Sequence, residues 1–491
     1  MSNVSGIIKS IQDIMRKDVG VDGDAQRISQ LVWMFFLKIF DDREQELELL
    51  EEDYQSPLPE HLRWRDWAAD AEGITGDALA DFVNLQLFPT LKEKLPIHGP
   101  SAKRAGVVRN VFEDAYNYMK SGTLMRQVIN KINEIDFNNS ADRHTFGNIY
   151  EQILKDLQSA GNAGEFYTPR AVTRFIVNRV DPALEEKVLD PACGTGGFLA
   201  CTIDHKRELY VKTRADEETL QASIFGVEKK ALPHMLATTN MILHGIDTPT
   251  NIRHDNTLSR PYKDYGERDR KEIIITNPPF GGMEEDGIEN NFPSHLRTRE
   301  TADLFMALII KLLKHKGRAA VVLPDGFLFG EGMKTRLKQT LLEECNLHTI
   351  VRLPNGVFNP YTGIKTNLLF FTKGQPTEQV WYYEHPYPQG VKSYNKGKPM
   401  RFEEFQPEID WWGSEADGFK TREQSEQAWP VSIDEIKARN YNLDIKNPHV
   451  GEQINHDPDE LLQQYQQQQQ AISELREQIK ASLADALSRS S

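Results

Sequence analysis

The residues best suited to chemistry are Asn277-Pro278-Pro279-Phe280. They follow the apolar run Glu272-Ile273-Ile274-Ile275-Thr276, which reads as a buried strand. A side-chain amide, two prolines and an aromatic ring are thereby delivered at the carboxyl end of a strand, the edge where open α/β sheets bind ligands. Consecutive prolines cannot continue a hydrogen-bonded ladder, and they stiffen the turn. Asn277 and the peptide carbonyl of Pro278 offer acceptors, and Phe280 offers a flat apolar face. Such a corner could hold a planar group with an amino substituent, as an enzyme acting on an exocyclic amine requires. Asn-Pro also initiates ordinary turns, so the tetrapeptide by itself supports both readings.

A second constellation lies upstream. Val188-Leu189-Asp190-Pro191-Ala192-Cys193-Gly194-Thr195-Gly196-Gly197-Phe198 reads as a strand, a glycine turn and a helix start. Glycines there permit a tight turn and close approach of backbone to a ligand. The spacing is neither G-x-G-x-x-G nor G-x-x-x-x-G-K-[ST], which disfavours a nicotinamide enzyme or a P-loop NTPase. Asp190, at the strand end, could accept from a ligand's ammonium. Glu228 ends the next strand, where a carboxylate can accept both hydroxyls of a ribose; an ordinary surface acid is the alternative. Asp255, after the third strand, could accept from an adenine amino group or simply form a turn. Thr168-Pro169 suits a helix start, with Thr as cap and Pro at the first helical position. The aromatic pair before it, Phe166-Tyr167, could cover a cofactor. Cys193 lacks an evident base partner and reads as a packing residue.

These motifs need a scaffold. Apolar segments near Lys187–Asp190, Ile224–Val227, Asn251–Asp255, Glu272–Thr276, Arg318–Leu323, His348–Arg352 and Thr366–Thr372 alternate mostly with helical stretches, a doubly wound α/β pattern. Residues 1–145 read as a helical domain, with Ile7, Ile8, Ile11, Ile14 and Met15 at helical spacing. The stretch 376–450, rich in Trp, Tyr, Pro and charge, reads as irregular with a few short elements. From Pro458, Leu461, Tyr465, Gln468, Ile472, Leu475 and Ile479 outline a rough heptad seam. A partner-binding helix fits it, since a lone helix gains little from its own propensity; a frayed solvated helix is the alternative.

The formal net charge of -15 argues against a chain that grips nucleic acid over a broad surface unaided. Cys193, Cys201 and Cys345 show no metal-ligand spacing and cannot form a disulfide framework, so a reducing cytoplasm is expected and no metal site is. The start of the chain lacks a signal-peptide pattern. The apolar run Leu31–Phe40 contains Lys38, is too short to span a bilayer and reads as a buried helix.

Asp-Pro-x-x-Gly-x-Gly-Gly-Phe followed later by Asn-Pro-Pro-Phe, with Glu165-Phe166-Tyr167-Thr168-Pro169-Arg170 ahead of both, resembles the S-adenosyl-L-methionine-dependent methyltransferases of adenine N6. The closer resemblance, over most of the chain, is to the modification (M) subunits of type I restriction-modification systems. It implies a seven-stranded Rossmann-like methyltransferase domain over 146–450, ending in an antiparallel hairpin whose last strand is Thr366–Phe371. A helical domain over 1–145 and a C-terminal helical tail over 451–491 would flank it. Gly194, Thr195, Gly196 and Gly197 would cradle the methionine part of the cofactor, with Glu165 to Arg170 wrapping it. Glu228 would hold its ribose and Asp255 its adenine, while Asn277, Pro278, Pro279 and Phe280 would hold a flipped-out base of duplex DNA. The implied partners are a specificity (S) subunit docked on the C-terminal helix, a second copy of this chain and a restriction (R) subunit. A specificity partner would explain the acidic balance; Arg297, Arg299, Lys334, Arg336 and Lys365 would then be candidates for a local DNA contact, with solvated surface charges as the alternative. Two rivals remain: methylation of a protein glutamine, which poses the same problem at a carboxamide nitrogen, and a non-catalytic assembly subunit.

Overall fold

The computed structural model describes residues 4–137, 168–359, 362–395 and 397–449, with single helical positions at Gln469, Leu475, Arg476 and Ile479. The strands are β1 (Val188–Asp190), β2 (Ile224–Glu228), β3 (Ile252–His254), β4 (Lys271–Thr276), β5 (Leu313–Pro324), β6 (Cys345–Arg352), β7 (Thr366–Lys373), β8 (Gln379–Glu384) and β9 (Ala428–Ser432). They form one sheet in the order β3-β2-β1-β4-β5-β7-β6-β8-β9. Neighbours from β3 to β5 are parallel. β7 is inserted antiparallel between β5 and β6. β8 runs parallel to β6, and β9 antiparallel to β8.

The apolar β4 needs cover on both faces, as parallel strands do. Ile273 and Ile275 join Phe175 and Ile176 of the helix Arg170–Val180 on one face. Ile274 joins Leu304 and Leu308 of the helix Thr301–Leu312 on the other. The register Leu189↔Ile274 sets the ends of β1 and β4 side by side. Asp190 and Thr276 therefore meet at the carboxyl edge.

All seven expected strands are present, but the sheet has nine, which corrects the seven-stranded expectation. Both additional strands are short elements of the stretch read as mostly irregular, and β7 is not the last strand of the sheet. Without β8, β6 would expose an edge, a liability that proteins cover. Tyr382 of β8 is buried and stacks on Trp429 of β9, with ring centroids 5.5 Å apart and planes 9° off parallel. Its hydroxyl donates to the Leu443 carbonyl at 3.0 Å.

The N-terminal region is helical, as expected. In the helix Asp24–Leu50, the consecutive residues Leu31 to Leu37 are all buried. This all-round apolar helix lies inside a core shared with Met235, Leu236 and Ile242 of the helix Ala231–Leu243. Arg104 reinforces the join. It donates to the buried Glu44 carboxylate (Nε to Oε1, 2.9 Å) and to the carbonyl of Asp247. Residues Met1–Ile445 form one compact unit and Lys446–Ser491 a second. The helix expected over 451–491 lies outside the described residues, apart from the four positions named above. No described helix is long and apolar enough to cross a membrane.

Candidate active site

The site begins where β1 ends. Asp190 is buried, and its Oδ1 accepts from the Thr276 hydroxyl at 2.6 Å and from the Ala192 amide at 3.1 Å. Burial pushes its carboxyl up to about 7, despite those two donors. Beyond it the chain turns sharply. Gly194 and Gly196 have φ of 53° and 78°, the left-handed region that favours glycine. A Cβ on Gly196 would lie 3.2 Å from the Met241 Cε and 3.4 Å from Ala237. Gly196 caps the helix Gly197–Leu209, and the Asn240 amide donates to the Thr195 carbonyl at 3.2 Å.

The end of β2 ties this turn down. Glu228 Oε2 accepts from the Gly194 amide at 3.0 Å, and Oε1 accepts from the Lys230 amide at 2.7 Å. Asp255 follows β3; its amide donates to the Glu228 carbonyl at 2.9 Å, and its carboxylate is half exposed, 3.6 Å from Arg253. The carboxyl ends of β1, β2 and β3 thus carry Asp190, Glu228 and Asp255 along one edge. Burial pushes the Cys193 thiol well up, with Asp190 and Glu228 adding to the effect, so it does not ionise as a nucleophile.

β4 delivers Asn277 to the same edge. Its Nδ2 donates to the Thr168 hydroxyl at 3.0 Å. Its Oδ1 is buried and has no hydrogen-bond partner. Leaving such an acceptor unmet costs about 1–3 kcal/mol, so it calls for an explanation. Pro278 is buried and Pro279 partly so. Phe280 is only 3% exposed and belongs to the core on the Thr301–Leu312 side, so in this conformation it is not an open stacking platform. The turn is then pinned, because the Gly282 carbonyl accepts from both the Thr301 amide and the Thr301 hydroxyl, each at 3.2 Å.

Thr168 corrects one expectation. Pro169, not Thr168, occupies the cap position of the helix Arg170–Val180. The threonine hydroxyl is turned to Asn277 instead. Arg170 opens that helix and is exposed. Glu165, Phe166 and Tyr167 lie outside the described residues. Sequence reasoning missed Thr276 and Asn240, which help hold the two loops. Thr276 left a trace as a hydroxyl ending an apolar strand, but its partner follows only from the order of strands. The expected DNA-contact cations divide. Arg299 pairs with Asp286 on the surface, and Lys334 is held by Glu300 (2.5 Å) and Asp303 (2.6 Å), so both are paired with acids of this chain. Arg297, Arg336 and Lys365 are exposed.

Comparison with known proteins places this edge in a family. Residues 141–457 match the N-6 DNA Methylase model, and residues 5–132 match the HsdM N-terminal domain. The methylase subunit of the type I restriction enzyme EcoEI from Escherichia coli is 68% identical over 487 residues, 99% of this chain and 98% of that protein. A solved type I modification subunit from Vibrio vulnificus is 44% identical, with a TM-score of 0.81 over 91% of this chain and 96% of that one. A chain solved in work on complex assembly and conformational transition of the type I R-M system is 35% identical, with a TM-score of 0.79 over 98% of both chains.

Proposed function

This chain belongs to the N-6 DNA methylase family, among the methylase subunits of type I restriction enzymes, and from that premise we propose that it transfers a methyl group from S-adenosyl-L-methionine to the N6 amino group of an adenine flipped out of duplex DNA. The observation that carries this reading is the buried, unpartnered Oδ1 of Asn277. An acceptor held in place without a donor suits a substrate that brings one. An adenine amino group brings two hydrogens, the second for the Pro278 carbonyl.

The chemistry follows from those acceptors. The amino nitrogen is a weak nucleophile because its lone pair is delocalised into the ring. Two acceptors on its hydrogens favour a more tetrahedral nitrogen with its lone pair free. When bound, S-adenosyl-L-methionine supplies an electrophilic methyl group on a sulfonium. What remains for the protein is orientation and electrostatics. The turn at Gly194, Thr195, Gly196 and Gly197 brings bare backbone to the methionine part, and Asp190 faces its ammonium. Glu228 receives the ribose hydroxyls, and Asp255 the adenine. Thr168 fixes the Asn277 amide so that its oxygen, not its nitrogen, meets the base. A base within a duplex cannot reach this corner, so it is extruded, and Phe280 stacks on it once its present cover moves.

Residues 1–145 serve as the accessory helical domain, 146–450 as the methyltransferase domain and 451–491 as the docking helix for a separate specificity subunit. A second copy of this chain and a restriction subunit complete the assembly, which works in the cytoplasm. Family membership and the net charge of -15 support a partner that reads the DNA sequence. The test is to incubate this chain, alone and with its specificity partner, with labelled S-adenosyl-L-methionine and duplex DNA, then to resolve the nucleosides. Label in N6-methyladenine, strongest with the partner present, is expected. Label found only in protein glutamine would overturn the reading.

A further inference from the structure

Four large apolar side chains stand exposed among the described residues from 168 to 445: Leu209, Met283, Phe329 and Ile364. Three of them cluster by topology. Met283 follows the Asn277 corner at the end of β4, and Phe329 lies just past the end of β5. Ile364 immediately precedes the start of β7, which opposes the end of β5 through Pro324↔Thr366. All three therefore rise from the carboxyl edge that carries the proposed base pocket. They are 76%, 52% and 49% exposed.

Met283 differs from a side chain on a loose loop. Its backbone forms an antiparallel bridge with Glu300. On either side, the Glu284 amide donates to the Arg299 carbonyl at 3.0 Å and the Thr301 amide to the Gly282 carbonyl at 3.2 Å. An unbranched apolar side chain thus projects from a backbone bridge held by hydrogen bonds on both sides, three residues beyond Phe280. The Phe329 and Ile364 segments are tied together, since the Asp325 amide donates to the Lys365 carbonyl at 3.1 Å. Exposed cations suited to phosphates lie on the same segments. Around Met283, Lys229 bridges Glu284 and Glu285 at 3.2 and 2.8 Å, and Arg299 pairs with Asp286. Arg297, Lys365 and Arg336 are exposed around them.

Extruding a base leaves a gap in the stack, and proteins that deform DNA insert apolar side chains between base steps. We propose that Met283 is the side chain that enters the duplex at the place the target adenine leaves, with Phe329 and Ile364 lying against the flanking sugars and bases. This rests on the methyl-transfer reading above and names the part of the protein that holds the duplex open.

The experiment uses the complex of this chain with its specificity subunit and a duplex carrying 2-aminopurine at the target adenine. Wild type is expected to raise the fluorescence on binding. Met283→Ala is expected to cut that rise, and to lower kcat on the adenine duplex about tenfold, with KM for S-adenosyl-L-methionine unchanged. Met283→Leu should stay near wild type. The Met283→Ala deficit should shrink to within about twofold when the target faces a mismatch, because an unpaired base is cheaper to extrude. An unchanged Met283→Ala beside an active wild type would overturn the wedge alone, as would an equal deficit on paired and mismatched duplexes. Loss of the specificity subunit from a Met283→Ala, Phe329→Ala, Ile364→Ala triple variant would identify a protein-docking face instead and overturn it too. Wild type that neither brightens 2-aminopurine nor methylates DNA would fail the underlying reading, and the wedge with it.

Discussion

Asp190 shows how one residue can be legible in type and hidden in state. Its place at the end of β1, before a glycine turn, was readable from the run Val188 to Gly197. Its burial was not, because that depends on Thr276 arriving from a strand 86 residues away. Burial lifts its carboxyl from the ordinary 3.8 to about 7. The folded chain therefore binds a proton that the unfolded chain has released, so stability falls as pH rises between those values and levels off above them. Asp190→Asn keeps an acceptor for Thr276 and removes the titration. Denaturant unfolding between pH 4 and about 8 should lose this downward slope in the variant, and an unchanged slope would show that Asp190 does not hold that proton. Thr168 was legible only as a capping type. Its hydroxyl went to Asn277 because Pro169 took the cap, a choice made by tertiary contact and not by local preference.

At the scale of elements, most of the seven expected strands were legible because buried strands such as β4, β5 and β7 are nearly continuous apolar runs. β8 and β9 were not. Gln379-Val380-Trp381-Tyr382-Tyr383-Glu384 mixes exposed and buried positions and sits among Pro, Trp and charge, so composition masked its alternation. Its aromatic content was the available signal. The pair covers β6 and anchors Leu443 through Tyr382. Truncating that buried ring should cost about 3–5 kcal/mol, the range for other large buried aromatics. Tyr382→Phe loses only the hydroxyl bond, about 0.5–1.5 kcal/mol. Urea unfolding of the two variants checks the ordering; a Tyr382→Ala cost near that of Tyr382→Phe would mean the strand pair adds little.

At the scale of the molecule, the two regions matched by separate family models share one core. The helix Asp24–Leu50 was legible as buried, but nothing local said that its partner is Ala231–Leu243, two hundred residues on. Arg104 welds that join, and removing it takes the cation from the buried Glu44 carboxylate and leaves it the Tyr54 hydroxyl. Arg104→Ala should destabilise by about 3–5 kcal/mol. Calorimetry should show one transition moving down as a unit, whereas two separated transitions would show that the regions melt independently. The helix Ala231–Leu243 that shares this core also packs on β2 and β3, and methyl transfer turns on what the sheet's carboxyl edge does in the whole assembly. The direct measurement is single-turnover methyl transfer to duplex DNA by the complex with its specificity subunit, wild type against Asn277→Ala. A loss of about 10²-fold or more in rate, the scale for removing one pre-organised polar group, with calorimetric affinity for S-adenosyl-L-methionine kept within about twofold, is the predicted result. Undiminished transfer by the variant would contradict the claim that the buried Asn277 oxygen receives the target amino group.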